Sequence, residues 1–125
     1  MYSAGKADIT LFRNSMSNLS QQHCVPCEGG IAPLSKSDAE ETMKHIPNWI
    51  LSQEGKNISR VFIFKDFTEA MVFVNNVAEI AEAEGHHPDI SINWNKVHLD
   101  LSTHAIGGLS TNDFILASKI NTIIK

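Results

Sequence analysis

The chain reads as an α+β protein: a two-layer sandwich in which a four-stranded antiparallel sheet carries three helices on one face, in the order αββαββα. Three observations predict it. Two pairs of short apolar-rich runs are each separated by only a few turn-forming residues, as in hairpins. Three other segments carry helical apolar spacing behind a capping pattern. All connections between them are short, so each hairpin must lay one apolar face against the helices that flank it.

Residues 1–34 are poor in apolar periodicity and rich in Ser, Asn, Gln and Gly, which predicts a flexible N-terminal arm. Met16 offers a second start, and Lys6 and Arg13 against the single acid Asp8 suit an extension or a leader. Cys24 and Cys27 have the spacing of half a zinc site or a redox pair. The arm supplies neither a second ligand pair nor a strand–helix setting, so they read as two thiols in a flexible segment.

The folded domain is expected over 35–125. Ser37-Asp38-Ala39-Glu40 has the capping-box pattern and predicts a helix within Ser35–Ile46, stopped before Pro47. Asn48–Gln53 and Asn57–Phe64 read as strands around a turn at Glu54-Gly55-Lys56. Asp66-Phe67-Thr68-Glu69 is a second capping box and opens the strongest helix. Phe67, Ala70, Met71, Val74, Val77, Ala78 and Ala81 share one face of it, and Phe73 and Ile80 widen that face toward a further helix or subunit. Gly85 suits the left-handed residue that ends a helix, and Pro88 forbids continuation.

Asp89–Trp94 and Val97–Thr103, joined at Asn95-Lys96, form the second hairpin. Trp94 then faces Val97, Ile92 faces Leu99 and Ile90 faces Leu101; extended, the same register sets His87 opposite His104. Ser110-Thr111-Asn112-Asp113 caps a last helix through Ile124, with Phe114, Ala117, Ile120, Ile123 and Ile124 on one face.

Composition narrows the function. At 125 residues and 42% hydrophobic the chain makes one domain with a real core. A net charge of −4 with no Lys/Arg run argues against nucleic acid as a partner, and no apolar run is long enough for a membrane span. Two cysteines make no disulfide framework, and with no secretory signal the expected address is cytoplasmic.

His86, His87 and His104 fall at element ends, where side chains converge on a ligand instead of entering a core. Three imidazoles can hold zinc. Adjacent histidines diverge, however, and general acid–base chemistry suits imidazole better, since it exchanges protons near neutral pH. Glu82, Asp89 and Asp113 are carboxylates close enough in sequence to orient the rings, although Asp113 also serves as a helix cap. No nucleophile elbow or phosphate-binding loop is present.

Trp49, Phe64-Lys-Asp-Phe67, Glu82-x-x-x-His86-His87-Pro88, Asn95-Lys-Val97, Ser102-Thr103-His104, Gly108-Leu109-Ser110 and Asp113–Ala117 together resemble the pterin-4a-carbinolamine dehydratases. The likeness runs from about Ser35 to Lys119, and the Cys-x-x-Cys-Glu-Gly-Gly segment looks like the leading segment of some members. The resemblance implies a hydro-lyase that takes 4a-hydroxytetrahydropterin to quinonoid dihydropterin and water in tetrahydrobiopterin regeneration. By position His86 and His104 match the family's proton donors and His87 a histidine that mainly binds the pterin. Glu82, Trp49 and Asp113 match residues lining or supporting the pocket, with Pro88, Asp89, Ser102 and Thr103 in the same motifs. Gly85 stands where some relatives carry an acidic residue. No metal or organic cofactor is implied. A homodimer or homotetramer is expected, and some members instead act as coactivators or assembly factors through helical protein contacts.

Overall fold

The computed structural model describes residues 18–25 and 32–124. The elements run α1 (Lys36–Thr42), β1 (Ile50–Leu51), β2 (Ile58–Ile63), α2 (Phe67–Glu84), β3 (Asp89–Asn93), β4 (Lys96–Leu101) and α3 (Thr111–Thr122). Single 3-10 turns lie at Leu19–Gln21, Met43–His45 and His104–Ile106. The strands make one antiparallel sheet in the order β1-β2-β4-β3, so the expected α+β sandwich is the one that forms. Alternation along the two central strands drives it. Ile58 and Phe62 of β2 and Val97, Leu99 and Leu101 of β4 face inward and are buried. They share a single core with Phe73, Val74 and Val77 of α2 and Phe114, Leu116 and Ile120 of α3. Phe73 stacks against both Phe62 and Phe64, with ring centroids 4.6 and 4.9 Å apart.

Helix α2 is capped as its sequence predicts. Asp66 Oδ1 accepts from the Glu69 N–H (2.9 Å), Glu69 Oε1 accepts from the Lys65 N–H (2.9 Å), and Gly85 ends the helix at φ 67°. Its buried face is rotated from the expected stripe, because Phe73 is 4% exposed whereas Phe67 is 49% exposed and Ala78 lies open. The aromatic that reaches Phe62 and Phe64 sets the rotation. Helix α1 starts earlier than the Ser37 box: the cap is Ser35, whose Oγ accepts from the Asp38 N–H at 3.1 Å. The strands are also shorter than expected, since Asn48 takes φ 74° and only Ile50 and Leu51 pair with β2.

The β3–β4 hairpin departs from the expected register by two residues. Ile92 faces Val97, Ile90 faces Leu99 and Asp89 faces Asp100, so the turn is Trp94-Asn95. Asn95 decides it. Its Nδ2 donates to the Phe64 carbonyl (2.9 Å) while its own carbonyl accepts from the Phe64 N–H (2.8 Å), and Trp94 takes a φ of 51° to let it do so. A shift of two keeps every side chain on its predicted face, which is why apolar pattern alone does not distinguish the two registers.

Residues 18–25 are not loose. Leu19 is 2% exposed within the core and Lys119 Nζ donates to the Ser20 carbonyl at 2.9 Å, so this part of the expected flexible arm belongs to the domain. Met16 and Cys27 lie outside the described residues. Pro33 and Leu34 also dock. The Leu34 N–H donates to Leu109 O (2.8 Å), and a Cβ at Gly108 would come 2.8 Å from Pro33 Cβ, an approach only glycine permits.

Candidate functional site

At one end of the sandwich, the C-terminus of α2, the end of β4 and the N-terminus of α3 meet around a cavity of about 480 Å³. His86, His87 and His104 all line it, together with Ser102, Thr103, Gly85, Glu84, Asn112, Cys24 and Val25. The three histidines thus come together, but not by the cross-strand pairing of His87 with His104. In the observed register the count carries His87 opposite Ser102. His104 reaches the cavity through its own 3-10 turn, which a Thr103–Gly108 bridge closes and Gly107 ends at φ 68°.

His86 is the most constrained of the three. The helix stops at Gly85, and the His86 N–H still donates to Ala81 O (3.2 Å), so the ring leaves the last turn in a fixed direction. Its Nε2 lies 2.6 Å from Asp113 Oδ1, with side-chain exposures of 13% and 0%. The carboxylate accepts only, so Nε2 carries the proton and Nδ1 is the nitrogen left for exchange with a ligand. Asp113 is fully satisfied. Its Oδ2 accepts from Thr103 Oγ1 (2.8 Å) and from the Ser110 N–H (3.0 Å), the second bond being half of the capping box of α3. Asp113 thus caps α3 and bonds the His86 ring at once.

His87 is more open, and its Nε2 pairs with Glu82 Oε2 at 2.5 Å on the exposed side of α2. The His104 ring is exposed and makes no hydrogen bond among the described residues. Asp89 lies in an adjoining cleft of about 410 Å³ that shares Ser102, Thr103 and His104 with the main cavity. Pro88 fills the step between His87 and β3. Trp49 stands apart from the histidines: it is buried against Phe62, and its Nε1–H donates to Asn121 Oδ1 (2.8 Å) at the far end of α3 from Asp113. Among the described residues no group of three or more His, Cys, Asp or Glu is arranged to hold a metal ion.

Sequence reasoning missed Glu84, Asn112, Cys24 and Val25. Glu84 is buried at the end of α2, where its carboxylate accepts from the Cys24 N–H (2.7 Å) and the His23 ring (3.0 Å) and lies 3.7 Å from Lys119 Nζ. Burial alone would raise this carboxyl, but the Cys24 N–H, His23 and Lys119 outweigh it and hold it below its ordinary value. No periodicity marks these residues. The one signal was the Cys-x-x-Cys-Glu-Gly-Gly likeness of the leading segment.

A two-layer α+β domain with three histidines from two junctions around one cavity defines the class. The chain belongs to the pterin 4 alpha carbinolamine dehydratase family, whose model matches residues 32–123. Members of this family are hydro-lyases. A Methylococcus capsulatus relative provisionally named pterin-4-alpha-carbinolamine dehydratase is 43% identical over 106 residues, covering 85% of this chain and 93% of its own. A Nitrosomonas eutropha relative with the same provisional name is 44% identical over 108 residues, covering 86% and 94%. Among solved structures, a Brucella melitensis transcriptional coactivator/pterin dehydratase superposes with a TM-score of 0.71 at 32% identity, covering 74% of this chain and 99% of that one. A pterin dehydratase-like protein identified as a RuBisCO assembly factor in the alpha-carboxysome shares the fold, with a TM-score of 0.53 at 18% identity.

Proposed function

We propose that this chain dehydrates 4a-hydroxytetrahydropterin to quinonoid dihydropterin and water by histidine acid–base catalysis, in the regeneration of tetrahydrobiopterin. The observation that carries the reading is the convergence of His86, His87 and His104 on one cavity, with the buried Asp113 behind His86. In the reaction the C4a–O bond breaks and its electron pair leaves with oxygen, while the N5 lone pair closes the C4a=N5 bond and N5 loses its proton. Hydroxide is a poor leaving group, so an acid must protonate it as it departs; a positioned acid or base contributes roughly 10²–10⁴-fold. The His104 ring, with no hydrogen bond among the described residues, suits the proton donor at the leaving hydroxyl. His86, with Nε2 committed to Asp113, suits the group that exchanges the second proton at N5. His87, tethered to Glu82, binds and orients the pterin.

The test is the absorbance decay of a freshly generated 4a-carbinolamine with and without the protein, in the presence and absence of chelator. The reading predicts a faster decay that chelator leaves unchanged. A decay no faster than in buffer would overturn it and favour a protein-binding role, which the description of the Brucella melitensis relative as a coactivator as well as a dehydratase keeps in view.

A further inference from the structure

Cys24 and Val25 form one wall of the histidine cavity, and they are fastened there. Besides the bonds to Glu84, the Val25 N–H donates to Asn112 Oδ1 (3.0 Å), Asn112 Nδ2 donates back to the Val25 carbonyl (2.5 Å), and Cys24 Sγ donates to Asn112 O (3.5 Å). Asn112 itself is buried at the start of α3, next to Asp113. Its side-chain amide thus grips the Val25 peptide on both sides, as a neighbouring strand would. The gripped residue is nevertheless 64% exposed at the cavity. A single exposed valine is ordinary on a mobile surface. One whose backbone is fixed by a buried amide, on the wall of a cavity that also carries the histidines, is a preorganised apolar contact.

We propose that Val25 is a specificity-determining contact of the substrate site, covering the flat face of the bicyclic ring of a bound pterin, and that Asn112 is the positioning residue that holds it there. The inference rests on the pterin reading above and extends it to a segment outside the histidine motifs. The contact is the same before and during proton transfer, so it contributes to binding and not to the chemical step.

The test compares wild type with Val25→Ser, Val25→Ile and, as a control on the edge strand β1 outside the cavity lining, Ile50→Ser, a residue of similar exposure. Two readouts are taken: calorimetric affinity for 7,8-dihydrobiopterin, and KM and kcat for the carbinolamine. Val25→Ser is expected to weaken affinity and raise KM by about five- to ten-fold, the scale of partly uncovering one aliphatic side chain, with kcat within about two-fold. Val25→Ile should restore both, and Ile50→Ser should change neither. A Val25→Ser protein with wild-type affinity and KM would overturn the inference while leaving the dehydratase reading intact. A wild-type protein that neither binds the dihydropterin nor speeds the decay would overturn that reading, and the inference with it.

Discussion

Asp113 shows how one residue joins folding to chemistry. It is a capping-box partner of Ser110, an acceptor for Thr103, and the carboxylate behind His86. Asp113→Asn keeps the shape but can offer the His86 ring an N–H where it needs an acceptor, so the tautomer is no longer imposed. The expected result is a kcat lower by roughly 10–10³-fold with KM little changed, and a modest loss of stability from the weakened cap. His87→Ala, by contrast, should raise KM more than it lowers kcat, since His87 is assigned to binding. Steady-state kinetics on the two folded variants checks the contrast; equal effects on both parameters in both proteins would remove the division of roles. Both histidines and Asp113 were legible in the sequence because they sit in short motifs at element ends. Val25 and Asn112 were not, because their link spans most of the chain and follows no period.

At the scale of elements, the strap formed by 18–25 is joined to the end of α2 through Glu84. The folded state holds this carboxyl below its ordinary value of 4.5, so its contribution is complete above about pH 4.5 and is lost as pH falls through the lower folded value. Melting wild type and Glu84→Gln in parallel should therefore give a midpoint difference that is full near about pH 7 and shrinks toward about pH 3. A difference that stays constant, or grows in acid, would separate Glu84 from strap retention. The caps of α2 and α3, the helix end at Gly85 and the strand faces could be read ahead, since each depends on neighbours in sequence. The hairpin register could not. Ile90 and Ile92 stay on the inner face either way, and the choice falls to Asn95 bonding Phe64, a contact across two strands. The same limit applies to α2, where the distant Phe62 and Phe64 rings draw Phe73 into the core.

For the whole molecule, the sheet face and edge away from the helices retain apolar surface. Val61 and Ile63 on the outer face and Trp94 at the β3–β4 turn are all exposed, and Val72 adds a further apolar position on α2. Exposed apolar side chains on a strand edge favour association, and we propose a homodimer or homotetramer, checked by light scattering at micromolar concentration; a monomer mass would remove the proposal. No helix among the described residues is long and apolar enough to cross a membrane. The central claim is that His86 and His104 move the two protons of a dehydration inside one cavity. It is tested most directly by following 4a-carbinolamine decay with the His86→Ala/His104→Ala double variant, after circular dichroism has verified its fold. The account predicts decay within a few-fold of the buffer rate, against a clear acceleration by wild type. A double variant as fast as wild type would contradict it.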